Sequence, residues 1–591
     1  MGARQCDGGV SFRVWAPNAR GIAVVGDFNG WSATADALTS EDNGYWSGDV
    51  AGARIGQQYK YLIQNGDASF WKNDPYAFEM TQSNGNAIIP DPSFDWGTDV
   101  FQMPSWNDMV IYEIHIGTFH SEPNTGKGTF ESAMQKLPYL QDLGINVVEI
   151  MASDEFPTDS SWGYNPSQIF AVESSYGGFR GLNTFVKAAH AHGIAVVYDV
   201  VYNHLGPGDL DLWQFDGWQI DGKGGIYFYQ DWRAATPWGD TRPDYGRSEV
   251  RQYLLDNALM WLEQRHLDGL RWDATNYIRN VHGSDADRAA DLPEGWTLIQ
   301  QINDAIDVSQ SWKISIAEDM QGNSAITTPT AAGGAGFDAQ WDEAFLGAVR
   351  GALVDQNDAS RDIQGVAVAL DHRLDGSAWS RVIYTESHDA NANGHARLPE
   401  EIWPGNAGSW QARKRSALGA VLTLTAPGIP MLFQGQEFLE DRYFSDMIPL
   451  DWNKAESYSG IRQLYCDLIR LRRNQSGTTG GLCGEHIVVH HVDSATKVIA
   501  YHRWSAGGSG DDVVVVVNFS EQSYPSYSIG FPSSGIWKVR FNSDWTGYGP
   551  DFGGELSYDT EATGEGRDDM PYNGNVGLGP YGAIILSQDR S

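Results

Sequence analysis

Three carboxylates that each follow a run of strand length are the residues best suited to do chemistry in this chain: Asp273, Glu318 and Asp389. Two carboxyl groups about 5–5.5 Å apart can break a glycosidic bond with retention, one as nucleophile and the other first as acid, then as base. Adjacent strands of a barrel can present two side chains at that separation. We therefore predict Asp273 as the nucleophile and Glu318 as the acid/base of a glycosidase.

Arg271 stands two residues before Asp273, so the two side chains point to the same side of a strand. Its positive charge would keep the carboxylate of Asp273 ionised. Asp199 ends another apolar run, and we expect it to orient Arg271 rather than to contact a substrate. Glu318 needs a raised pKa instead, because an acid must keep its proton near neutral pH.

Asp389, His388 and His204 complete the predicted site. Each could form hydrogen bonds with sugar hydroxyls that strengthen at an oxocarbenium-like transition state. A lone Asp, Glu or His at a strand end is usually a cap or a surface group. Polar groups at the ends of several strands in succession instead favour a catalytic centre at the C-terminal face of a barrel.

The segment from 106 to 475 alternates strands with helices, which is typical of a parallel sheet with crossover helices. Eight such strands predict a closed (β/α)8 barrel, with helices over 130–143, over 182–192 and from Ser248. A Gly- and Trp-rich stretch at about 202–247 is predicted as an excursion over the site. The predicted strands are 110–114, 146–150, 195–199, 269–273, 314–318, 337–341, 382–384 and 431–433.

Two all-β domains are predicted to flank the barrel. Residues 1–95 alternate apolar and polar side chains between turn residues, which indicates a β-sandwich, and 90–104 form a Pro-punctuated linker. Residues 476–591 return to short strands and predict a C-terminal β-sandwich. The fold class is therefore α/β, with an N-terminal β-sandwich and a C-terminal all-β domain around the barrel.

Charge and composition narrow the range of partners. The 591 residues carry 40 basic and 76 acidic side chains, a net charge of −36, which disfavours nucleic acid and anionic membranes. A neutral glucan is indifferent to that charge. The 23 Trp suit a carbohydrate-binding protein, although most Trp are core residues. The oligomeric state is left open.

The three cysteines imply reduced thiols or at most one disulfide. No stretch approaches the ~20 apolar residues needed to span a bilayer, and residues 1–6 lack the apolar core of a signal peptide. We therefore expect a cytoplasmic protein, or a secreted one if a signal peptide has been removed.

The segments around the predicted site resemble the four conserved regions of the α-amylase superfamily of glycoside hydrolases, in the same order and at normal spacing. The resemblance covers about 106–475. It implies that Asp273 is the nucleophile, Glu318 the acid/base and Asp389 the transition-state stabiliser. We expect no cofactor; calcium is left open, although its usual site is incomplete in this sequence.

The same resemblance assigns substrate-binding residues. Arg271, His204 and His388 would line the subsite at the scissile bond. The segment 162–166 resembles the family segment whose tyrosine stacks on that sugar, so Tyr164 is added to the expected site.

The segments 12–17 and 26–31 resemble the β-sandwich that precedes the barrel in branching, debranching and trehalohydrolase members of the superfamily. In those relatives the module either binds glycogen or only packs on the barrel. We favour packing, and Trp31 is the best candidate for a glucan contact.

Departures from the family patterns guide the finer prediction. Branching enzymes usually follow the last His-Asp with Glu, whereas this chain has Ala390. Maltooligosyltrehalose trehalohydrolases resemble it at 202–207 and 316–319, but often carry Gln at that position. Many α-amylases hold calcium through a His four residues after the nucleophile. That position is Tyr277 here, and Asn203 alone falls far short of the six to eight oxygens that calcium takes.

These departures favour hydrolysis of α-1,4 bonds in starch, glycogen or maltooligosaccharides, accompanied by transglycosylation. The first alternative is a 1,4-α-glucan branching enzyme, in which a glucan 6-hydroxyl resolves the same intermediate, and a trehalohydrolase comes next. A non-catalytic binding subunit is disfavoured because all three carboxylates are present.

Overall fold

Parallel strands close into a barrel at the centre of this computed structural model, which describes residues 1–121 and 126–590. Within that part of the chain the barrel has eight strands, so the predicted fold class is confirmed. The strands, labelled β1 to β8 in chain order, are Ile111–Ile114, Val147–Ile150, Ala195–Val200, Gly269–Trp272, Ile314–Ala317, Ala339–Trp341, Arg381–Ile383 and Ile429–Phe433.

Each strand pairs with the next along the chain, and β8 closes the barrel on β1. Every residue of β3, β4 and β5 is buried, as expected for a parallel sheet covered by helices. The register sets Arg271 of β4 opposite Asp199 of β3 on one side and Ile316 of β5 on the other. Side chains at the C-terminal ends of these strands therefore meet at one face.

The helices differ from the predictions in two places. The single helix predicted over 130–143 is wrong: Phe130–Met134 and Leu137–Leu143 are separate helices. Pro138 has no N–H to continue the first helix, but is well suited to the first turn of a new one. The helix predicted from 182 begins earlier, at Gly178. The remaining α-helices are Ile116–Phe119, Gly178–Ala191, Ser248–Gln264, Thr275–Arg279, Pro293–Gln310, Glu343–Val354, Ile363–Leu370, Leu398–Ile402, Trp410–Thr425, Asn453–Ser457 and Ser459–Arg472.

The N-terminal module consists of two small antiparallel sheets packed face to face. One sheet contains Gly2–Cys6, Gly9–Trp15, Tyr45–Ala51 and Thr39–Ser40; the other contains Gly21–Gly26, Gln58–Asn65, Ala68–Lys72 and Ala87–Ile88. Alternate residues of the strand Gly9–Trp15 are buried, since one face of the sheet covers the core.

The excursion at 202–247 leaves the barrel after β3 and contacts the N-terminal module. Lys72 Nζ donates to the carbonyl of Trp213 at 2.9 Å, and the Asn73 N–H donates to Asp211 Oδ2 at 2.8 Å. The module is thus fastened to the loop that borders the barrel's C-terminal face.

The C-terminal domain is an antiparallel β-structure joined to the barrel helices by polar contacts. Lys414, in the helix that follows β7, forms a buried ion pair with Asp544. One sheet contains His486–Asp493, Val498–Trp504, Val513–Asn518, Ala583–Ser587, Gly535–Asn542 and Thr560–Ala562; a second pairs Tyr524–Phe531 with Tyr572–Leu578.

In the ranges 1–121 and 126–590, the helices are all too short or too polar to cross a membrane. Cys6, Cys466 and Cys483 are unbridged.

Candidate active site

The predicted site residues lie together at the C-terminal ends of the barrel strands. Asp273 directly follows β4, and Glu318 directly follows β5. Asp389 lies farther out, in the loop after β7. Its side chain is 41% exposed, whereas those of Asp273 and Glu318 are 10% and 8% exposed. The site is therefore a mostly buried floor with one carboxylate at its rim.

Arg271 is the centre of this floor. Its guanidinium is buried, with Nη1 2.5 Å from Asp199 Oδ2 and 3.1 Å from Asp273 Oδ1, and Nη2 2.7 Å from Glu318 Oε2. The Trp341 ring of β6 lies under it, 4.4 Å from Cζ to the ring centroid. One cation thus contacts the carboxyl groups of three neighbouring strand ends.

The surroundings of Glu318 are those expected for a general acid. Burial raises its pKa well above the usual range; Arg271 opposes this rise, whereas Asp273 and Asp389 add to it. The N–H of Ala274 donates to Glu318 Oε2 at 2.9 Å. Both this contact and that of Arg271 fall on Oε2, so a proton belongs on Oε1.

Tyr164 and Asp199 form one edge of the floor. The Tyr164 hydroxyl donates to Asp199 Oδ2 at 2.7 Å, and its ring stacks on His388 with centroids 5.0 Å apart. Gly163 adopts a left-handed backbone, and a Cβ there would lie 1.7 Å from the Ala152 carbonyl oxygen, so the turn that presents Tyr164 requires glycine. Burial raises the pKa of Asp199 to about 7, against the effect of Arg271.

His388 is a charged imidazole at neutral pH. The ring Nδ1 lies 2.5 Å from Glu113 Oε1, and the ring Nε2 lies 3.5 Å from Asp389 Oδ2. The backbone N–H of His388 donates to Glu113 Oε2 at 3.1 Å. Burial lowers the pKa of His388, but the carboxylates of Asp389 and Glu113 outweigh it and raise that pKa to about 10.

His204 has the opposite protonation state. Burial lowers its pKa to about 4, although Asp273 acts in the other direction. Its ring stacks on Trp238 of the excursion, with centroids 4.7 Å apart. The neighbouring Asn203 donates from Nδ2 to Asp273 Oδ2 at 2.6 Å. The nucleophile candidate is thus held by Arg271 on one oxygen and by Asn203 on the other.

A second ion pair supports the segment that carries Glu318. Arg279, in the short helix after Asp273, donates from Nε to Asp319 Oδ2 at 2.8 Å and from Nη2 to Asp319 Oδ1 at 2.6 Å. The Thr275 N–H and hydroxyl both donate to the Glu318 carbonyl, at 2.8 and 3.0 Å. These bonds join the loop after β4 to the loop after β5.

Sequence reasoning missed several of these residues. Glu113 of β1 and Glu149 of β2 are side by side on neighbouring strands of the barrel. Burial raises the pKa of Glu149 well above its usual range. Each is a single carboxylate inside an apolar strand, and that pattern was a usable signal. No local signal marks Trp238 or Arg279, whose partners are distant in the sequence.

Few oxygen ligands are found at the position where calcium was considered. No group of three or more His, Cys, Asp or Glu in 1–121 and 126–590 is arranged to hold a metal ion. Tyr277 offers no carboxylate, and Oδ1 of Asn203 contacts Nδ1 of His204. Tyr277 and Asn203 therefore do not fit the cation at this position.

The sequence matches three family models. "Alpha amylase, catalytic domain" covers 113–210 and 210–456, "Carbohydrate-binding module 48 (Isoamylase N-terminal domain)" covers 1–77, and "Alpha amylase, C-terminal all-beta domain" covers 488–589. The chain therefore belongs to the α-amylase family of glycoside hydrolases and transferases and is an enzyme.

Similar proteins span the whole chain. The 1,4-alpha-glucan branching enzyme GlgB of Dechloromonas aromatica is 30% identical over 100% of this chain and 97% of its own length. The enzyme of the same name from Salinibacter ruber is 30% identical over 93% and 90%. A pullulanase from Anoxybacillus sp. LM18-11, crystallised with maltotetraose, shares the fold with a TM-score of 0.76 at 22% identity, covering 100% of this chain and 87% of that one.

The charge on His388 can be tested with Glu113→Gln. Removing this carboxylate should bring the pKa of His388 down from about 10, while the pKa of His204 stays near 4. Histidine-selective NMR titration measures both. Because the folded pKa of His388 lies above its ordinary value of 6.5, the charge stabilises the fold fully below about pH 6.5, and this stabilisation is lost as pH rises through about 10. An unchanged His388 titration in the variant would contradict the pairing.

The Arg279–Asp319 pair should position Glu318. In Arg279→Met the buried Asp319 loses its charged partner and the loop after β5 shifts, so kcat should fall roughly 100-fold with little change in KM. Arg279→Met/Asp319→Asn removes the unpaired charge and should recover thermal stability but not kcat. Arg288→Met is the matched control, because Arg288 is exposed and also lies between β4 and β5. Full kcat in a folded Arg279→Met enzyme would refute the positioning role.

Proposed function

We propose that this enzyme is a retaining 1,4-α-glucan branching enzyme that cleaves an α-1,4 bond and transfers the released segment to a glucan 6-hydroxyl. The observation that carries the proposal is the similarity, over 91–100% of the chain, to proteins named 1,4-alpha-glucan branching enzyme. The three carboxylates at the barrel face supply the chemistry that such a transfer needs. Our sequence-based preference for hydrolysis thus becomes the second candidate.

In the first step, Asp273 attacks the anomeric carbon while Glu318 protonates the departing glycosidic oxygen. The C1–O4 bond breaks, a β-glycosyl ester forms on Asp273, and the shortened chain leaves with its new 4-hydroxyl. Arg271 and Asn203 hold the two carboxyl oxygens of Asp273. Burial raises the pKa of Glu318, so this group keeps the proton that it donates.

Charged and neutral groups around the floor would bind the sugar during this step. Protonated His388 and the rim carboxylate Asp389 are suited to the sugar hydroxyls, and Tyr164 offers a ring beside them. Neutral His204 lies at the opposite side, next to Asp273. Asp199 holds Arg271 and does not act on the substrate.

In the second step, a 6-hydroxyl of another glucan chain attacks C1 of the ester. Glu318, now a carboxylate, takes the hydroxyl proton, the new C1–O6 bond forms and Asp273 is released. Two inversions leave the new linkage in the α configuration.

Hydrolysis is the second candidate, favoured by Ala390 after Asp389 where the branching pattern has Glu. In that case water replaces the 6-hydroxyl, with Glu318 as the same base. Nothing in the first step changes.

The N-terminal module is suited to hold the polymer. The Trp31 and Trp71 rings stack with centroids 6.2 Å apart, and Trp71 is 47% exposed. Planar rings of this kind pack against the apolar faces of sugars. We therefore propose glucan contact here, in addition to the packing role favoured from the sequence.

Amylose turnover separates the two candidates. Branching should leave the reducing ends constant, and short chains should appear only after the product is treated with a debranching enzyme. Asp273→Asn is the control and should abolish turnover without unfolding the chain. Rising reducing ends, with a chain profile that debranching leaves unchanged, would overturn branching in favour of hydrolysis. Full activity in Asp273→Asn would refute the nucleophile assignment.

A further inference from the structure

The C-terminal domain presents an aromatic side chain at its surface. Trp545 is 54% exposed. One part of its ring lies against the backbone at Gly547, where a Cβ would come within 2.3 Å of ring carbons, so only glycine lets the ring settle there. The Tyr548 ring meets it edge to face at 5.0 Å. The exposed part of Trp545 is thus held in one orientation.

Trp545 lines a surface cavity of about 510 Å³. Leu556, which is 80% exposed, lines the same cavity. The lining also includes the polar residues Asn542, Thr546 and Ser557 and the charged residues Arg540 and Glu555. Apolar surfaces with a few polar groups between them characterise binding sites for small organic ligands, and the volume lies in the usual range of about 300–1,000 Å³.

Contacts with the barrel helices fix this cavity in place. Asp544, next to Trp545, forms the buried ion pair with Lys414, and its Oδ2 accepts from the Glu555 N–H at 3.3 Å. The Tyr548 hydroxyl donates to Asp467 Oδ2 at 2.8 Å. The Trp545 side of the cavity is therefore tied to the catalytic domain through Asp544 and Tyr548, and the Glu555 side is linked to Asp544.

We propose that this cavity binds a segment of α-glucan outside the active site, with a glucosyl ring on Trp545; this rests on the proposed function. A sugar ring combines apolar C–H faces with a rim of hydroxyls, which matches a flat indole beside amide and hydroxyl groups. It also carries no charge, so the net charge of −36 does not repel it. A polymer bound here and at the barrel would be held at two points, which raises the effective concentration of chain ends.

The test compares Trp545→Ala with the wild-type full chain on two glucans. Binding to amylopectin in native affinity electrophoresis should weaken roughly threefold to tenfold, the loss expected for one aromatic contact. Turnover of a short linear amylose fraction, measured as loss of iodine staining, should keep its kcat/KM, because Trp545 belongs to the C-terminal domain and is not among the residues of the candidate active site.

Two further variants keep the test decisive. Leu556→Asp alters a side chain at the surface, where folding is not at risk, and should weaken amylopectin binding as well. Trp312→Ala removes a Trp of similar exposure, 50%, before β5 and should change neither measurement.

Amylopectin binding that stays intact in both Trp545→Ala and Leu556→Asp would overturn the inference while leaving the proposed function standing. Equal losses on amylopectin and on short amylose would overturn it too, since the cavity would then serve only to support the barrel. A wild-type chain that neither binds amylopectin nor converts amylose would instead contradict the proposed function itself.

Discussion

The buried guanidinium of Arg271 is the group on which the rest of the site depends. Burying a cation costs several kcal/mol unless it is paired. Here Asp199, Asp273 and Glu318 come from the ends of three adjacent strands, and they meet Arg271 only because the register of the barrel brings those ends to one level. The closed sheet therefore places the carboxyl groups that offset the free-energy cost of burying Arg271.

Burial raises the pKa of two of the carboxyl groups around Arg271, and the acid/base assignment follows from that effect on Glu318. Asp273 has Arg271 and Asn203 as donors, whereas burial raises the pKa of Glu318 well above its usual range and the pKa of Asp199 to about 7. The two imidazoles divide in the same way: Glu113 and Asp389 keep His388 charged, and burial leaves His204 neutral. Each group's protonation state thus follows from its neighbours.

Local patterns were enough to predict the barrel and the residues at its strand ends. A run of apolar residues and the polar residue that follows it can both be recognised within a short segment of sequence. They did not suffice where partners are far apart: Glu113 and His388 are 275 residues apart, and Arg279 and Asp319 are 40 apart. Trp238 reaches His204 only through the path of the excursion. The break at Pro138, in contrast, was a local signal that helical periodicity concealed.

Trapping the covalent intermediate tests the central claim that Asp273, held by Arg271, attacks the anomeric carbon. With Glu318→Gln, α-maltosyl fluoride can glycosylate the enzyme, because fluoride leaves without an acid, whereas the lost base slows breakdown of the ester. Mass spectrometry of the digested protein should find a maltosyl ester on Asp273. An ester on Asp389 or another carboxylate, or turnover with no covalent adduct, would contradict the account.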